Sequence, residues 1–126
     1  MVIEATKQTP KVSFDAEKHV LEFQGESYPE NMAVFESPIF TWLEKYLEQL
    51  EDQTFTVNID LAYFNSSSSK MLLDLFDKLD EEVENNGKSI IVNWIYDAED
   101  DGAEEYGEEF KEDLESLTFN LVPKNG

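Results

Sequence analysis

The chain contains no cysteine among its 126 residues. Disulfides, thiolate metal sites and cysteine nucleophiles are therefore excluded. Basic side chains are also scarce, 9 Lys and Arg against 29 Asp and Glu, which gives a formal charge of −20. Nucleic acid and anionic membrane would be repelled by such a chain, so a basic protein surface or a cation is the expected partner. No apolar run of 18 residues occurs, so no membrane-spanning helix is expected. The opening Met1–Lys7 lacks the basic region and apolar stretch of a secretory leader, and the expected location is cytoplasmic. Glycine-rich phosphate loops of the Walker or dinucleotide type are missing. Histidine occurs once, as His19, in a predicted hairpin far in sequence from the serine cluster, and reads as a surface strand residue. A nucleophile needs a base beside it, and no carboxylate pair is spaced as acid and base. The chain is thus expected to be no enzyme and to use no cofactor.

What is present suffices for a core. Hydrophobic residues make up 40% and aromatics 13%, enough for a single domain spanning residues 1–126. Val2–Thr6 reads as a short strand. Val12 and Phe14, then Val20, Leu21 and Phe23, flank Asp15-Ala16-Glu17-Lys18 as a β-hairpin. Gly25–Asn31 reads as a loop, with Gly25 and Pro29 as breakers. Ser37-Pro38 has the form of a helix start, Ser as N-cap and Pro at the first helical position, and an apolar face follows to Leu50. Phe55, Val57, Ile59 and Leu61 alternate with polar residues, the period-2 signature of a half-buried strand. A helix is predicted over Ser67–Asn85, closed by Asn86-Gly87. The near-continuous apolar run Ser89–Ile95 predicts a strand buried on both faces, next to the Phe55–Leu61 strand. A short helix over Glu104–Leu114 and a last strand over Thr118–Val122, ending before Pro123, complete the chain. Strands alternating with helices predict an α/β fold, a mixed sheet packed with helices, with the later strands parallel.

Four hydroxyls, Ser66 to Ser69, fall where the strand hands over to the second long helix. A helix N-terminus offers unpaired N–H groups and the positive end of the dipole, so a phosphate would be well placed there. The structural alternative is that one serine caps the helix and the others fill the turn. The acidic run from Asp97 invites a calcium reading. With Asp97 as position one, oxygens fall at one, three and five, Gly102 at six and Glu108 at twelve of an EF-hand template. Glu99 is long for position three, Glu104 replaces the apolar residue of position eight, and a strand precedes the run. A solvated acidic face or a docking surface for basic groups fits better, and no metal ligand set is assigned.

Several segments, in order along nearly the whole chain, resemble the SiaC family of biofilm-regulation phosphoproteins. These are Ile3-Glu4-Ala5-Thr6 with Thr9-Pro10, GESYPEN at 25–31, Trp42-Leu43-Glu44, Tyr63-Phe64-Asn65-Ser66-Ser67-Ser68 with Lys70, and Val92-Asn93-Trp94-Ile95-Tyr96-Asp97. The resemblance implies a single STAS-like domain, as in anti-sigma factor antagonists. It implies partner switching: a protein kinase phosphorylates the hydroxyl after the Asn, here Ser66 with Ser67 and Ser68 as fallbacks. A metal-dependent Ser/Thr phosphatase reverses this. The unphosphorylated form binds and activates a diguanylate cyclase, raising cyclic di-GMP and promoting biofilm. Tyr28, Pro29, Glu30, Asn31, Asn65 and Lys70 are the expected partner-binding residues. Two other readings stand beside it: a STAS-like module serving a sigma-factor or stress pathway, and an acidic metal-binding protein.

Overall fold

The computed structural model describes residues 1–125. Its elements are β1 (Val2–Ile3), β2 (Lys11–Asp15), β3 (Val20–Ser27), α1 (Met32–Gln49), β4 (Thr54–Phe64), α2 (Ser66–Asn86), β5 (Ser89–Asp97), α3 (Asp101–Glu112) and β6 (Thr118–Lys124). All six strands form one sheet in the order β1-β2-β3-β4-β5-β6. The first three pair antiparallel, and β3 to β6 run parallel, joined by the three helices. The two predicted central strands are neighbours, with Val57 opposite Leu21 on one side and Val92 on the other.

Alternation along the strands sorts side chains between two different faces. Phe14, Phe23, Phe55, Val57, Ile59, Val92, Trp94 and Phe119 are buried on one face. All three helices pack there: Phe14 meets Tyr46 of α1, Phe119 meets Phe76 of α2, and Trp94 meets Phe110 of α3. Among the described residues, no helix covers the opposite face. It carries a ladder of amides, Asn93 donating to Asn58 at 2.9 Å and Asn120 donating to Asn93 at 3.1 Å. This corrects the expectation for β5. Ile90, Val92, Trp94 and Tyr96 are buried, but Ile91 and Ile95 lie half-buried on the open face. The apolar run reflects strand propensity at those two positions, not burial on both sides.

Several boundaries also differ from expectation. Helix α1 begins at Met32, capped by the Asn31 side chain, and Pro38 lies inside it. Phe35 is the reason: with Ile39, Leu43, Tyr46 and Leu47 it completes one buried stripe, and Pro38 sits on the exposed side. Strand β3 continues through Gly25 to Ser27, so the loop is shorter than the expected 25–31. Gly25, at φ +125°, accommodates a bulge at which Ala62 is left over in β4. The serines do not cap α2; Asn65 does, and Gly87 closes the helix in the left-handed conformation. Helix α3 starts three residues earlier than expected because Asp100 caps it. Strand β6 runs through Pro123 to Lys124, which is tolerated because β6 is an edge strand. Finally, His19 is not a strand residue. It ends the hairpin turn at φ +58°, half-buried, with Nδ1 2.6 Å from the Tyr46 hydroxyl. Burial pushes that phenol up to about 12.

Candidate functional site

Parallel pairing of β3, β4 and β5 delivers three strand-to-helix turns to one end of the sheet. Ser27 lies opposite Phe64, so the loop before α1 and the turn before α2 are side by side. The backbone N–H of Asn65 donates to the Ser27 carbonyl at 3.0 Å. Tyr28 stands edge-on to Tyr63, their rings 5.7 Å apart. Two of the expected partner residues, Tyr28 and Asn65, and the expected phosphorylation site, Ser66, are therefore brought to one surface.

The serine run resolves into distinct environments. Asn65 Oδ1 accepts the Ser68 N–H at 2.9 Å and the Ser67 hydroxyl at 3.1 Å. Ser68 is completely buried, its hydroxyl 2.8 Å from the Ser27 carbonyl oxygen. Ser67 is half-buried, and Ser66 is exposed. The first turn of α2 contains no acidic side chain. Its N-terminal field is thus not offset locally, although the rest of the helix is strongly acidic. Further along α2, burial and then the charges of Asp74, Asp80, Glu81 and Asp113 raise the carboxyl of Asp77 above the ordinary range.

An open groove beside Ser66 is lined by Tyr63, Phe64, Asn65, Ser69 and Tyr106. Phe64 and Tyr106 meet edge to face with centroids 5.0 Å apart. Tyr63 is 53% exposed and Tyr106 48%, an unusual exposure for large rings flanking one small hydroxyl. Tyr106 escaped the sequence reading because it lies 40 residues from Ser66 in an acidic helix. The available signal was its place between Ala103 and Phe110, at the border of the α3 apolar face.

The remaining expected residues divide. Pro29 is buried. Asn31 Oδ1 accepts the Val34 N–H at 3.3 Å and so serves as a helix cap. Glu30 is exposed and 3.4 Å from the Gln8 amide. Lys70 is exposed one turn along α2, where its nearest carboxylate is Asp74 at 3.8 Å. The acidic turn forms its own local structure: Asp97 Oδ1 accepts the Glu99 N–H and Asp100 Oδ1 the Ala103 N–H. Among the described residues, no three His, Asp or Glu side chains are grouped as metal ligands. Nor is any helix among them long and apolar enough to cross a membrane.

The molecule is thus a one-sided α/β sheet that presents hydroxyls and aromatic rings at the ends of its parallel strands, and His19 sits at the opposite end of β3 from Ser66. More specifically, the chain belongs to the SiaC family of regulatory phosphoproteins, whose model matches residues 3–124. An uncharacterized protein of Pseudomonas aeruginosa strain UCBPP-PA14 is 33% identical over 111 residues, 88% of this chain and 86% of that one. The fold superimposes with a TM-score of 0.90 on the crystal structure of the P. aeruginosa diguanylate cyclase SiaD in complex with its activator SiaC, at 31% identity, covering 98% of this chain and 99% of that one. Against apo-SiaC of the same species the TM-score is 0.86, at 32% identity, with 97% of each chain covered.

Proposed function

We propose that this protein is a non-enzymatic phospho-switch that binds and activates a diguanylate cyclase while Ser66 is unphosphorylated, and thereby controls cyclic di-GMP and biofilm formation. A protein kinase adds the phosphate and a metal-dependent Ser/Thr phosphatase removes it. The observation that carries this reading is the position of Ser66: exposed, at the mouth of an acid-free helix N-terminus, and flanked by Tyr63 and Tyr106. The fold tolerates phosphate there because first-turn N–H groups have no intrahelical acceptors. A partner fitted to a hydroxyl does not tolerate it. The modification brings roughly −1.5 to −2 charges. Burying such a charge unpaired in an interface costs about 3–5 kcal/mol.

Exposure orders the three candidate hydroxyls. Ser66 is the phosphoacceptor, Ser67 would have to release Asn65, and Ser68 would have to leave the core. Tyr28, Tyr63 and Tyr106 supply aromatic contact area to the partner, with Lys70 at the rim. The test is calorimetric titration of the cyclase encoded by the same organism, paired with phosphopeptide mapping. Ser66→Ala should bind the cyclase and resist the kinase, and the phosphorylated wild type should bind at least 100-fold more weakly, as the burial penalty implies. Full phosphorylation of Ser66→Ala moves the site elsewhere. Equal binding of both phosphorylation states overturns the switch.

A further inference from the structure

Ser27 and Ser68 are the two buried polar residues among the described residues, both at 0% exposure, and they come from different elements. Their hydroxyl oxygens are 2.7 Å apart, and the Ser68 hydroxyl also lies 2.8 Å from the Ser27 carbonyl oxygen. A hydroxyl carries one proton. If Ser68 gives its proton to the carbonyl, which cannot donate, the Ser27 hydroxyl must be the donor to Ser68. The chain therefore has a direction: Ser27 hydroxyl to Ser68 hydroxyl to Ser27 carbonyl. The same carbonyl accepts the Asn65 N–H at 3.0 Å, and the next residue, Tyr28, donates its N–H to Gln8 at 2.7 Å. On one side of this pair stands the Tyr28 loop; on the other stands the turn that presents Ser66.

We infer that Ser27 and Ser68 form a positioning couple that locks the Tyr28 loop to the N-terminus of α2, so that Tyr28 and Ser66 are held as a single recognition surface. The inference rests on the proposed reading for its partner, but not for the couple itself. Neither hydroxyl touches the partner; both act through the segments they join. Buried polar groups are costly unless satisfied, so a fully satisfied pair fixes one arrangement of the two segments and disfavours others.

The directed chain makes the two serines unequal. Ser68→Ala removes a donor from the Ser27 carbonyl and leaves the Ser27 hydroxyl stranded in the core. Ser27→Ala leaves the Ser68 hydroxyl bonded to the carbonyl, since that acceptor is backbone. A pair that only filled space would respond alike to loss of either oxygen. The experiment is amide hydrogen exchange of the isolated protein, reading Tyr28 and Asn65 against Val92 in the central strand, followed by calorimetry with the cyclase below the melting transition of each variant. Ser68→Ala should speed exchange at Tyr28 and Asn65 about tenfold, the scale of one net hydrogen bond. It should leave Val92 unchanged relative to any global loss of stability, and it should weaken cyclase binding by a similar factor. Ser27→Ala should change each by less than about threefold, the lower end of that scale. Unchanged exchange at Tyr28 and Asn65 in Ser68→Ala, or equal effects of the two variants, overturns the couple. Faster exchange with unchanged cyclase affinity overturns its role in recognition. If the wild type binds no cyclase, the proposed function fails, and the exchange measurement still decides the couple.

Discussion

Two strand-to-helix turns at the same end of the sheet share a plan and differ in charge. At β4–α2, Asn65 caps the helix and the first turn holds no acid. At β5–α3, Asp100 caps the helix, and Asp101 and Glu104 follow in the first turn. The dipole of α3 is thus already met by carboxylates, while that of α2 meets a neutral amide and hydroxyls. The first turn of α1, Met32–Phe35, is likewise acid-free, but it carries no hydroxyl; among the described residues α2 is the helix start that joins hydroxyls to an acid-free first turn. A phosphate on the first turn of α2 would meet no carboxylate of that turn, whereas one on the first turn of α3 would face Asp101 and Glu104. The acidic turn, though richer in oxygen ligands, has two of its aspartates engaged with its own backbone.

The largest effect that would break this comparison comes from lifting α3 off the sheet. A Cβ built on Gly107 would come within 2.5 Å of both Trp94 Cδ1 and Leu121 Cδ2. Trp94 is itself buried and donates its indole N–H to the Ala103 carbonyl at 2.9 Å, so it has little freedom to yield. Gly107→Ala should therefore cost about 1–3 kcal/mol, measured by urea unfolding. Displacing α3 also moves Tyr106 from Phe64, so the Ser66 groove should open while the Asn65 cap stays in place. Wild-type stability in this variant would show that α3 is not tightly seated.

Gly107 also shows what sequence could and could not disclose. Strands β4 and β5, the hairpin, and the stop at Gly87 were legible because each is set by local periodicity or by one residue's backbone preference. The start of α1 is not legible because Ser37-Pro38 is a strong local signal, overridden by the tertiary burial of Phe35 two residues upstream. The open face of the sheet was illegible in Ser89–Ile95, since a β-branched side chain looks the same whether a helix covers it or not. At the site, the hydroxyl-bearing turn was visible in the sequence. The identity of its cap, the burial of Ser68 and the arrival of Tyr106 were not, because each depends on which elements the sheet order makes neighbours.

Next in size are the caps themselves. Asn65→Ala removes the acceptor for the Ser68 N–H and the Ser67 hydroxyl, and Asp100→Ala removes the acceptor for the Ala103 N–H. Either loss should cost about 1 kcal/mol in urea unfolding. The two should part company in salt. The Asn65 contribution is a neutral hydrogen bond and should hold constant, whereas the Asp100 contribution includes charge–dipole attraction that screening reduces. Identical salt dependence would mean that the charge difference between the two turns has no energetic content.

The smallest effect is the sharpest test, because it exchanges the character of the two turns without removing a cap. Ser66→Asp puts one carboxylate at the acid-free N-terminus of α2, and Asp101→Asn takes one from α3. A charge in the first turn contributes about 0.3–1 kcal/mol at low ionic strength. Ser66→Asp should therefore stabilise the fold by that amount even though the chain becomes more negative, and Asp101→Asn should destabilise it similarly even though the net repulsion falls. General charge repulsion predicts the opposite sign for both variants, so the sign decides. Thermal unfolding in dilute buffer and again at about 1 M salt, where the Debye length is about 3 Å, would measure it. If Ser66→Asp destabilises the fold in dilute buffer, the N-terminus of α2 is no natural seat for negative charge. A phosphate on Ser66 would then act by disturbing α2, and the fold would not carry the modification intact to its partner.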